Sequence, residues 1–398
     1  MSLRLKKRKE SAMRTKFMII SILAIAILLI IDNASAIPAF ARKYDMSCMV
    51  CHAPFPKLKT YGDEFAGNGF QLKDKEAPRF TRETGDSKLF LMRELPLALR
   101  FDGYVRFDTK SDTKTDIQTP YYLKILSGGL IAKDIAYYLY FFFSERGEVA
   151  GIEDAIVAFN NIANLELDLT LGQFQVSDPL FKREVRPTFE DYWIYKVRPG
   201  YSSADLTYDR GVMVNYTIPK FETDLFVSVV NGNGIGPAGN KIFDSDSYKN
   251  LFVRVAQPVH SMIQVGGMGY FGKEKLSESY NRIAMIGADM TVDAGEIELS
   301  GQFIYRRDDN PYFNGIMPDV DTHGGFFQLM FTPDGDESDW YNFFLYNFIS
   351  SDIPGLKYES IAANFTYMIA RNFKILGEIG YDFEQRKTSL TIGFNTAM

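Results

Sequence analysis

From residue 95 onward, apolar and polar side chains alternate with a period of two. Residues 165–171 illustrate the pattern, because leucine occupies every odd position and a polar residue every even one. A β-strand points successive side chains to opposite faces, so this pattern gives it one apolar and one polar face. Over about ten residues, it is the pattern of a transmembrane strand that is apolar toward lipid and polar toward the lumen.

The alternating segments number about sixteen, an even count within the range of porins. They lie near residues 95–108, 121–132, 135–144, 151–160, 165–174, 206–218, 222–231, 249–257, 262–272, 281–292, 296–306, 323–332, 339–349, 358–368, 373–383 and 388–395. An aromatic content of 15% also suits a barrel with aromatic belts. We predict an all-β fold, an antiparallel outer-membrane β-barrel of about sixteen strands in contact with outer-membrane lipid.

The connections between these segments alternate in length. Short connections lie at residues 132–134, 161–164, 219–221, 258–261, 293–295 and 370–372. Between them fall longer loops, at residues 109–120, 175–205, 232–248 and 307–322. An outer-membrane barrel with both termini in the periplasm has this arrangement. A soluble β-sandwich would also alternate in polarity, but it has no reason to alternate in loop length.

Residues 1–36 have the composition of a secretory signal peptide. Seven Lys or Arg lie within residues 4–16, an apolar run follows, and Ala34–Ala36 fits a cleavage site. A transmembrane anchor is the alternative, but the run of 15 apolar residues falls short of the roughly 20 that a spanning helix needs. We expect cleavage there and delivery to the outer membrane of a Gram-negative-type bacterium, with translation starting at Met1 or Met13. The formal net charge of −6 and the absence of a basic patch argue against nucleic acid as a partner.

The pentapeptide Cys48–His52, of sequence CMVCH, is a CxxCH motif, the attachment site of a c-type haem. We predict one covalent haem c on Cys48 and Cys51, with His52 as the proximal ligand of the haem iron. These are the only two cysteines in the chain, so no disulfide framework competes. The alternatives are a local disulfide, a thioredoxin-like redox pair and half of a zinc site. A thioredoxin-like redox pair lies near a βαβ pattern, which is absent here. A zinc site needs further Cys or His nearby, and the chain has only two other histidines.

The predicted haem segment covers residues 37–75 and is expected to be mainly helical, because Leu58, Tyr61 and Phe65 recur at helical spacing. A charged linker, residues 76–94, joins it to the barrel. So short a segment holds too few residues for a robust independent core. The haem and neighbouring protein are therefore expected to hold it together.

Two barrel segments depart from the alternating pattern. Ile135–Phe143 and Trp340–Ile349 are apolar or aromatic on both faces. One hypothesis is that their inner faces pack against the haem segment, held as a plug in the lumen, with Phe141 and Phe344 among the contacts. The alternative is a lumen simply filled by large side chains.

Several short motifs in the first 70 residues resemble those of the fused outer-membrane monohaem cytochrome–porins. They are Pro38–Arg42 (PAFAR), Cys48–His52 (CMVCH), Phe55–Leu58 (FPKL) and the spaced residues Gly62, Phe65, Gly69 and Phe70. That family contains the outer-membrane iron oxidases of neutrophilic and acidophilic Fe(II)-oxidising bacteria. The resemblance covers about 35 residues, and Lys43–Asp45 stands where the family usually has Gln-Thr-Gly.

The resemblance implies that Cys48 and Cys51 hold the haem and that His52 is its proximal ligand. It implies electron transfer across the outer membrane, from an extracellular donor, with Fe(II) the leading one, to a periplasmic cytochrome or other electron carrier. It assigns no catalytic residues beyond an Fe(II)-oxidising haem. The alternative, from a different class, is a porin-type solute channel whose haem-bearing segment is a plug or a sensor. Barrels of this size often trimerise, so a homo-oligomer remains an open expectation.

The sequence leaves the second axial ligand open. Met46 and Met49 lie too close to the attachment loop to reach the opposite face of a haem, whereas Met92 is better placed. Strand parity puts His260 in a periplasmic turn and His323 near an outer loop, which suits structural roles. Acidic pairs in the outer loops are interpreted as solvated charges rather than metal ligands: Asp244 and Asp246, Asp308 and Asp309, Asp319 and Asp321.

Overall fold

In the computed structural model, residues 39–72, 81–82, 84–244 and 246–398 are described. The predicted signal peptide with its cleavage site and part of the predicted linker lie outside these residues. Within the described ranges, no helix is long and apolar enough to cross a membrane.

Residues 39–72, which we call the N-terminal segment, form two short helices. These are α1, Ala39–Tyr44, and α2, Thr60–Gly67. Aromatic rings hold them together: Phe65 meets both Phe40 and Tyr44 edge to face with centroids 5.5 Å apart. Phe40 also stacks on Phe70 at 4.6 Å. The predicted small helical segment is therefore confirmed, and its core consists mainly of these four rings.

A two-stranded antiparallel sheet lies between the N-terminal segment and the barrel. It consists of β1, Thr81–Arg82, and β2, Leu91–Met92. Both strands fall in the region that the charge pattern marks as a linker.

Sixteen antiparallel strands then close into a barrel, in which each strand pairs with its neighbours in the chain and β3 pairs with β18. The strands are β3 Leu97–Asp108, β4 Thr115–Ala132, β5 Ile135–Glu145, β6 Gly151–Phe159, β7 Leu167–Gln175, β8 Tyr208–Ile218, β9 Thr223–Val230, β10 Asn250–His260, β11 Ile263–Leu276, β12 Ser279–Asp293, β13 Ile297–Asp308, β14 Val320–Phe331, β15 Trp340–Ser351, β16 Tyr358–Ala370, β17 Phe373–Asp382 and β18 Lys387–Ala397. Closure satisfies the backbone groups of every strand, which lipid requires. The predicted fold class is confirmed.

Side-chain exposure alternates along the strands as the sequence predicts. On β3, Leu97 and Phe107 are exposed on the outer face, whereas Asp102 and Tyr104 are buried on the inner one. The outer face is apolar and therefore suited to lipid, and the inner face carries the polar and charged side chains.

The connections follow the predicted alternation in length only in part, because two residues also join β11 to β12 at the end that holds the long loops. At one end, two residues each join β4 to β5, β10 to β11 and β16 to β17. This end, which we call the short-turn end, also holds the start of β3 and the end of β18. The long connections 176–207, 231–249 and 309–319 all lie at the opposite end. In outer-membrane barrels the short turns face the periplasm.

Strand β4 begins earlier than the sequence predicts, at Thr115 instead of residue 121. Pro120 interrupts the alternating pattern at this point. The ladder between β3 and β4 shifts register between Asp102 and Tyr104, and beyond that shift it continues to the pair Phe107 and Thr115. A proline fits a sheet at such an irregularity because no ladder hydrogen bond is needed from it.

The longest connection, residues 176–207, folds back into the lumen, and we call it the interior segment. Tyr195 and Leu206 within it are almost fully buried. Together with inward side chains of β7 and β9–β16, they form the larger of the two buried apolar clusters found among the described residues. The long loop predicted at 175–205 is therefore confirmed in position, and the structure shows in addition that it folds inward. The segment carries too many apolar and aromatic side chains to be stable in water.

Candidate functional site

The CxxCH motif forms a tight turn of the N-terminal segment. Residues 48–50 make one 3₁₀ turn, and the side chain of Ser47 accepts a hydrogen bond from the Met49 N–H at its start. The backbone N–H groups of Cys51 and His52 both donate to the carbonyl oxygen of Cys48, at 3.2 and 2.9 Å. The turn thus brings the two cysteines and the histidine together, with both thiols free and half-buried.

The His52 ring is held in one orientation by backbone acceptors. Its Nδ1 lies 2.8 Å from the carbonyl oxygen of Pro56 and 3.2 Å from that of Lys57. A carbonyl only accepts, so Nδ1 carries the proton and Nε2 keeps its lone pair. Burial also lowers the pKa of His52, which favours the neutral ring. A histidine that donates from one nitrogen to a backbone carbonyl has the arrangement of a metal ligand.

Helix α2 packs directly on the backbone of the motif. The Lys59 N–H donates to the Cys51 carbonyl oxygen at 2.8 Å, and the Ala53 N–H donates to that of Lys57 at 3.2 Å. A Cβ at Gly62 would overlap the Cys51 carbonyl oxygen, so this position accepts only glycine. The loop that follows the motif is therefore held by contacts within the N-terminal segment itself.

The described residues give no support to the alternatives to a c-type haem. The thiols are not joined in a disulfide, and burial raises the pKa of both Cys48 and Cys51. No group of three or more His, Cys, Asp or Glu that could hold a metal ion occurs among the described residues. A zinc site is therefore not supported, and neither is a redox pair, since the segment lies in an antiparallel barrel without a βαβ unit in its described part.

The N-terminal segment lies inside the short-turn end of the barrel. Lys57 forms an ion pair with Glu298 at the start of β13, and Lys59 forms one with Asp336 in the turn after β14. Arg42 donates to the carbonyl oxygen of Leu97 at 2.8 Å. These contacts tie three parts of the segment to three positions around the rim.

A second set of contacts joins the segment to the inner face of β5. The ring of Phe70 stacks on that of Tyr138 with centroids 4.8 Å apart. Gly69 precedes it with φ +68°, and a Cβ there would overlap Ala136 and lie 2.7 Å from the side chain of Asn160. The end of the segment therefore fits closely against the barrel wall.

The faces of β5 and β15 differ from the prediction in detail. The inward side chains of β5 include Tyr138 and Phe142, while Phe141 packs on the ring of Phe143 on the outer face. Phe344 of β15 is 46% exposed on the outer face. The prediction that Phe141 and Phe344 face the lumen is therefore wrong, because a shift of one residue moves a side chain to the other face.

Strand β15 packs on the interior segment rather than on the N-terminal one. The Tyr341 hydroxyl donates to the Pro187 carbonyl oxygen at 3.3 Å, and the Asn347 amide donates to that of Asp191 at 3.1 Å. Both sequence hypotheses for these strands thus hold in part. The N-terminal segment plugs the lumen beside β5, and large side chains fill it beside β15.

The interior segment carries a buried charge cluster that no pattern in the sequence singles out. Arg183 donates to Asp191 at 2.7 Å, Lys196 pairs with the same carboxylate, and Arg186 lies 3.9 Å from it. Burial alone would raise the pKa of the Asp191 carboxyl, but Arg186, Arg183 and Lys196 hold it well below its usual range. The cluster is linked to the N-terminal segment, because Lys182 donates to Asp63 at 2.9 Å.

Three of the residues considered as second haem ligands lie away from the lumen. Gly128 contacts Phe70 from inside the barrel, whereas the next residue, Gly129, contacts Met92, so Met92 lies on the opposite face of β4. His260 and His323 are exposed on the outer face at opposite ends of the barrel. Met92, His260 and His323 are therefore not placed to ligate the iron of a haem at His52.

The acidic pairs of the outer loops are engaged in ordinary contacts. Asp308 pairs with Arg306 at 2.7 Å, and Asp319 pairs with Arg307 at 3.1 Å. Asp244 pairs with Lys249. The interpretation as solvated charges is wrong for Asp308, which is fully buried, whereas the side chain of Asp319 is 63% exposed.

No family model matches the chain, and no curated protein matches it. Solved structures do match. The anion-selective porin from Comamonas acidovorans has a TM-score of 0.59 at 11% identity, covering 77% of this chain and 99% of its own. OmpT of Vibrio cholerae, an outer-membrane protein in a trimer form, has 0.55 at 10% identity, covering 77% and 99%. The outer-membrane channel DcaP of Acinetobacter baumannii has 0.54 at 14% identity, covering 77% and 97%.

These likenesses show the fold, a porin-like sixteen-stranded barrel of the outer-membrane type. They support the barrel half of the family resemblance. They give no evidence for its cytochrome half, for a haem or for iron oxidation. The covalent haem at Cys48, Cys51 and His52 remains a prediction that rests on the motif and its local geometry.

Proposed function

We propose that this protein is an outer-membrane monohaem cytochrome–porin that transfers electrons across the membrane. One observation carries the proposal: a CxxCH turn whose histidine contacts a backbone carbonyl through Nδ1 lies inside the lumen of a porin-like barrel. A pore built only for solutes has no need of a segment that occupies its short-turn end. A protein that must place a redox group within the membrane does need one.

The chain's own residues set the environment of that group. Cys48 and Cys51 would hold a haem c covalently, and His52 would ligate its iron through Nε2. When bound, a haem c supplies one-electron oxidation and reduction. The carbonyl oxygen of Pro56 fixes the His52 tautomer and raises the basicity of the ligand. The ion pair of Lys57 with Glu298 keeps the segment in the lumen.

The position of the segment suggests the direction of exchange. It lies at the short-turn end, where a periplasmic cytochrome or other carrier has access. The proposed donor is extracellular, with Fe(II) the leading one, and it would approach from the end with the long connections. The acidic formal charge of the chain suits a cationic donor but does not select iron.

The test is reduction of the purified, oxidised, haem-loaded protein by Fe(II) without oxygen, followed in the visible haem spectrum. Dithionite gives the fully reduced control, and the Cys48→Ser/Cys51→Ser double variant gives the haem-free control. Rapid reduction by Fe(II) supports the proposal. Reduction by dithionite alone keeps the cytochrome and removes Fe(II) as the direct donor. Purified protein without covalent haem overturns electron transfer altogether.

The second candidate is a porin-type solute channel in which the N-terminal segment is a plug or sensor. The comparisons favour this candidate at the level of fold, since two of the structures described above are named as a porin and a channel. Conductance in planar bilayers separates the two. Large steady currents through the full chain support the channel, whereas currents that appear only after removal of residues 39–72 support the plugged conduit.

A homo-oligomer is proposed as well, because a protein of the same fold is known in a trimer form. Mass measurement of the purified protein in detergent tests it. A single mass equal to one chain and its detergent excludes the oligomer.

A further inference from the structure

The hairpin formed by β1 and β2 lies against the outer face of the barrel wall at the short-turn end, and we call it the rim hairpin. The sulfur of Met92 in β2 lies 3.0 Å from the position that a Cβ at Gly129 would take, and Pro96 contacts the same glycine. On the inside of the wall, the ring of Phe70 lies equally close to Gly128. The rim hairpin and the N-terminal segment therefore lie on opposite sides of the same strand, β4.

The face of the rim hairpin that points away from the barrel is also apolar. Successive residues of a strand point to opposite faces, so Leu91 points away from the wall that Met92 contacts. Leu91 is 41% exposed, Leu89 is 47% exposed and Leu95, just beyond the hairpin, is 63% exposed. A hairpin with this face in water would carry polar side chains there. Exposed leucines close together indicate contact with a membrane or with another protein.

The position of the rim hairpin along the barrel places these leucines at the edge of the apolar band. Gly129, against which the hairpin packs, pairs with Tyr137 of β5. Tyr137 and Trp340 stand on the outer face near the short-turn end, where outer-membrane barrels carry a girdle of aromatic rings at the membrane surface. Leu97 and Ile131 are exposed on the same outer face of β3 and β4. The leucines of the hairpin therefore continue the lipid-facing surface of the barrel.

Basic side chains stand at both ends of the apolar run at residues 89–92. Lys88 precedes the run and Arg93 follows it, and both are exposed. Long basic side chains can reach lipid phosphates while apolar neighbours lie among acyl chains. Asp86 and Glu94 are exposed as well, so net charge adds little. The attraction of the hairpin to a membrane therefore comes mainly from its leucines.

The backbone of the rim hairpin limits how deep it can lie. Its ladder has only two residue pairs, Thr81 with Met92 and Arg82 with Leu91. A two-stranded sheet has two open edges, and hydrocarbon does not tolerate unpaired backbone groups. The backbone therefore belongs in the headgroup region, with only the leucine side chains below it.

We propose that the rim hairpin binds the inner leaflet of the outer membrane. Leu89, Leu91 and Leu95 lie among the acyl chains, and Lys88 and Arg93 contact phospholipid phosphates. The membrane then holds, from outside the wall, the part of the chain that leads from the N-terminal segment to β3. This contact needs neither haem nor electron transfer, so it is independent of the proposed function.

The first test is photo-crosslinking from position 91 in intact outer membranes. The photoreactive residue p-benzoylphenylalanine replaces Leu91 in the full chain. In the matched control it replaces Glu337, which is exposed in the turn between β14 and β15 at the same end of the barrel. Irradiation should give phospholipid adducts at position 91, identified by mass, and only background at position 337. If the variant at position 91 gives no heat-modifiable folded barrel, Leu89 is replaced instead.

Three outcomes of the crosslinking would overturn the proposal. A product of twice the chain mass without lipid adducts would assign the apolar face to a second copy of the chain. Adducts with lipopolysaccharide would place the hairpin at the outer leaflet. Equal background yields at positions 91 and 337 would show that the face lies in water.

The second test measures tryptic cleavage after Arg93 in nanodiscs of phosphatidylethanolamine and phosphatidylglycerol. Leu89→Gln/Leu91→Gln should speed this cleavage by about tenfold or more, because two leucines no longer favour the membrane-bound position of the hairpin. The residues on either side of the cleaved bond are unchanged. Thr84→Gln/Ser87→Gln is the matched control, because both residues are exposed and polar in the same hairpin, and it should leave the rate unchanged. Equal rates for the two double variants would contradict the proposal.

A failure of the proposed function gives a different result. The Cys48→Ser/Cys51→Ser chain should form the same phospholipid adducts as the haem-loaded chain. Phospholipid adducts in a protein that carries no haem would therefore support the membrane contact and refute electron transfer.

Discussion

The ring of Phe70 stacks on the ring of Tyr138 at a centroid distance of 4.8 Å and an interplanar angle of 26°. Phe70 ends the N-terminal segment, and Tyr138 stands on the inner face of β5. The contact joins the part of the chain that carries the haem motif to the wall of the barrel. The segment has too small a core to be stable by itself, so its position depends on packing against the barrel.

The Gly69→Ala substitution should release the N-terminal segment. Gly69 has φ +68°, and an added Cβ would overlap Ala136, so both backbone and packing oppose alanine. Trypsin should cleave within the segment faster, with the barrel intact. Gly67→Ala is the control, because nothing lies within 4 Å of the added Cβ and alanine is preferred in a helix. Equal cleavage rates for the two variants would contradict the packing of the N-terminal segment against β5.

Tyr138→Ala should increase the rate of tryptic cleavage of the segment by about tenfold, since a stacked aromatic pair contributes about 1 kcal/mol beyond its buried area. Phe141→Ala lies three residues away on the outer face and should leave the rate unchanged. The pair therefore tests the side-chain register of β5 directly. A larger effect of Phe141→Ala would restore the original prediction that this ring faces the lumen.

Asp191→Asn should lower the free energy of unfolding by about 3 kcal/mol at pH 7, because it leaves buried cations without their carboxylate. The Asp191 pKa is depressed in the folded protein, so its stabilisation is present above about pH 4 and disappears as pH falls through the folded pKa. The difference between variant and wild type should therefore shrink only in strong acid. Urea unfolding in lipid vesicles measures both.

The control for this experiment is Glu278→Gln. The Glu278 side chain is almost fully exposed beside Lys275 at 3.8 Å, and such surface pairs contribute less than about 1 kcal/mol. Similar losses for Asp191→Asn and Glu278→Gln would show that the buried cluster does not stabilise the interior segment.

The Cys48→Ser/Cys51→Ser variant should fold as a barrel but lose haem on extraction with acidified acetone. The thioethers are the only covalent links that the motif provides. Gel mobility before and after boiling reports the barrel, and the pyridine haemochrome spectrum reports the haem. Haem that resists extraction from this variant would place the attachment elsewhere.

The strands were predictable because their signal is local. A period of two in residues 165–171 needs no knowledge of distant contacts, and the same holds for most of the sixteen strands. Where the local signal vanishes, the prediction fails. Residues 137–143 are all aromatic or leucine, so alternation gives no information on which face Phe141 occupies.

The surroundings of the haem motif depend on long-range contacts. Cys48–His52 is visible in the sequence, but Glu298 and Lys374, which contact Lys57 and Phe55 just after it, are more than 200 residues away and belong to strands whose polar positions look alike. The fold of the interior segment into the lumen could not be predicted from a local pattern either. Its length and its aromatic content at 192–195 were the available signals, since water solvates such a loop poorly.

Because the N-terminal segment lies at the short-turn end, the two openings of the barrel differ in what occupies them. The apolar band of an outer-membrane barrel is about 25 Å tall, and every barrel contact of the segment described above lies near one edge of it. A redox group bound at His52 would therefore lie close to the short-turn opening and far from the opening with the long connections. Under the proposed function, an external donor would have to enter the lumen, or its electron would have to pass through the packed rings of the interior segment, where Tyr192 stacks on Phe326 at 4.3 Å.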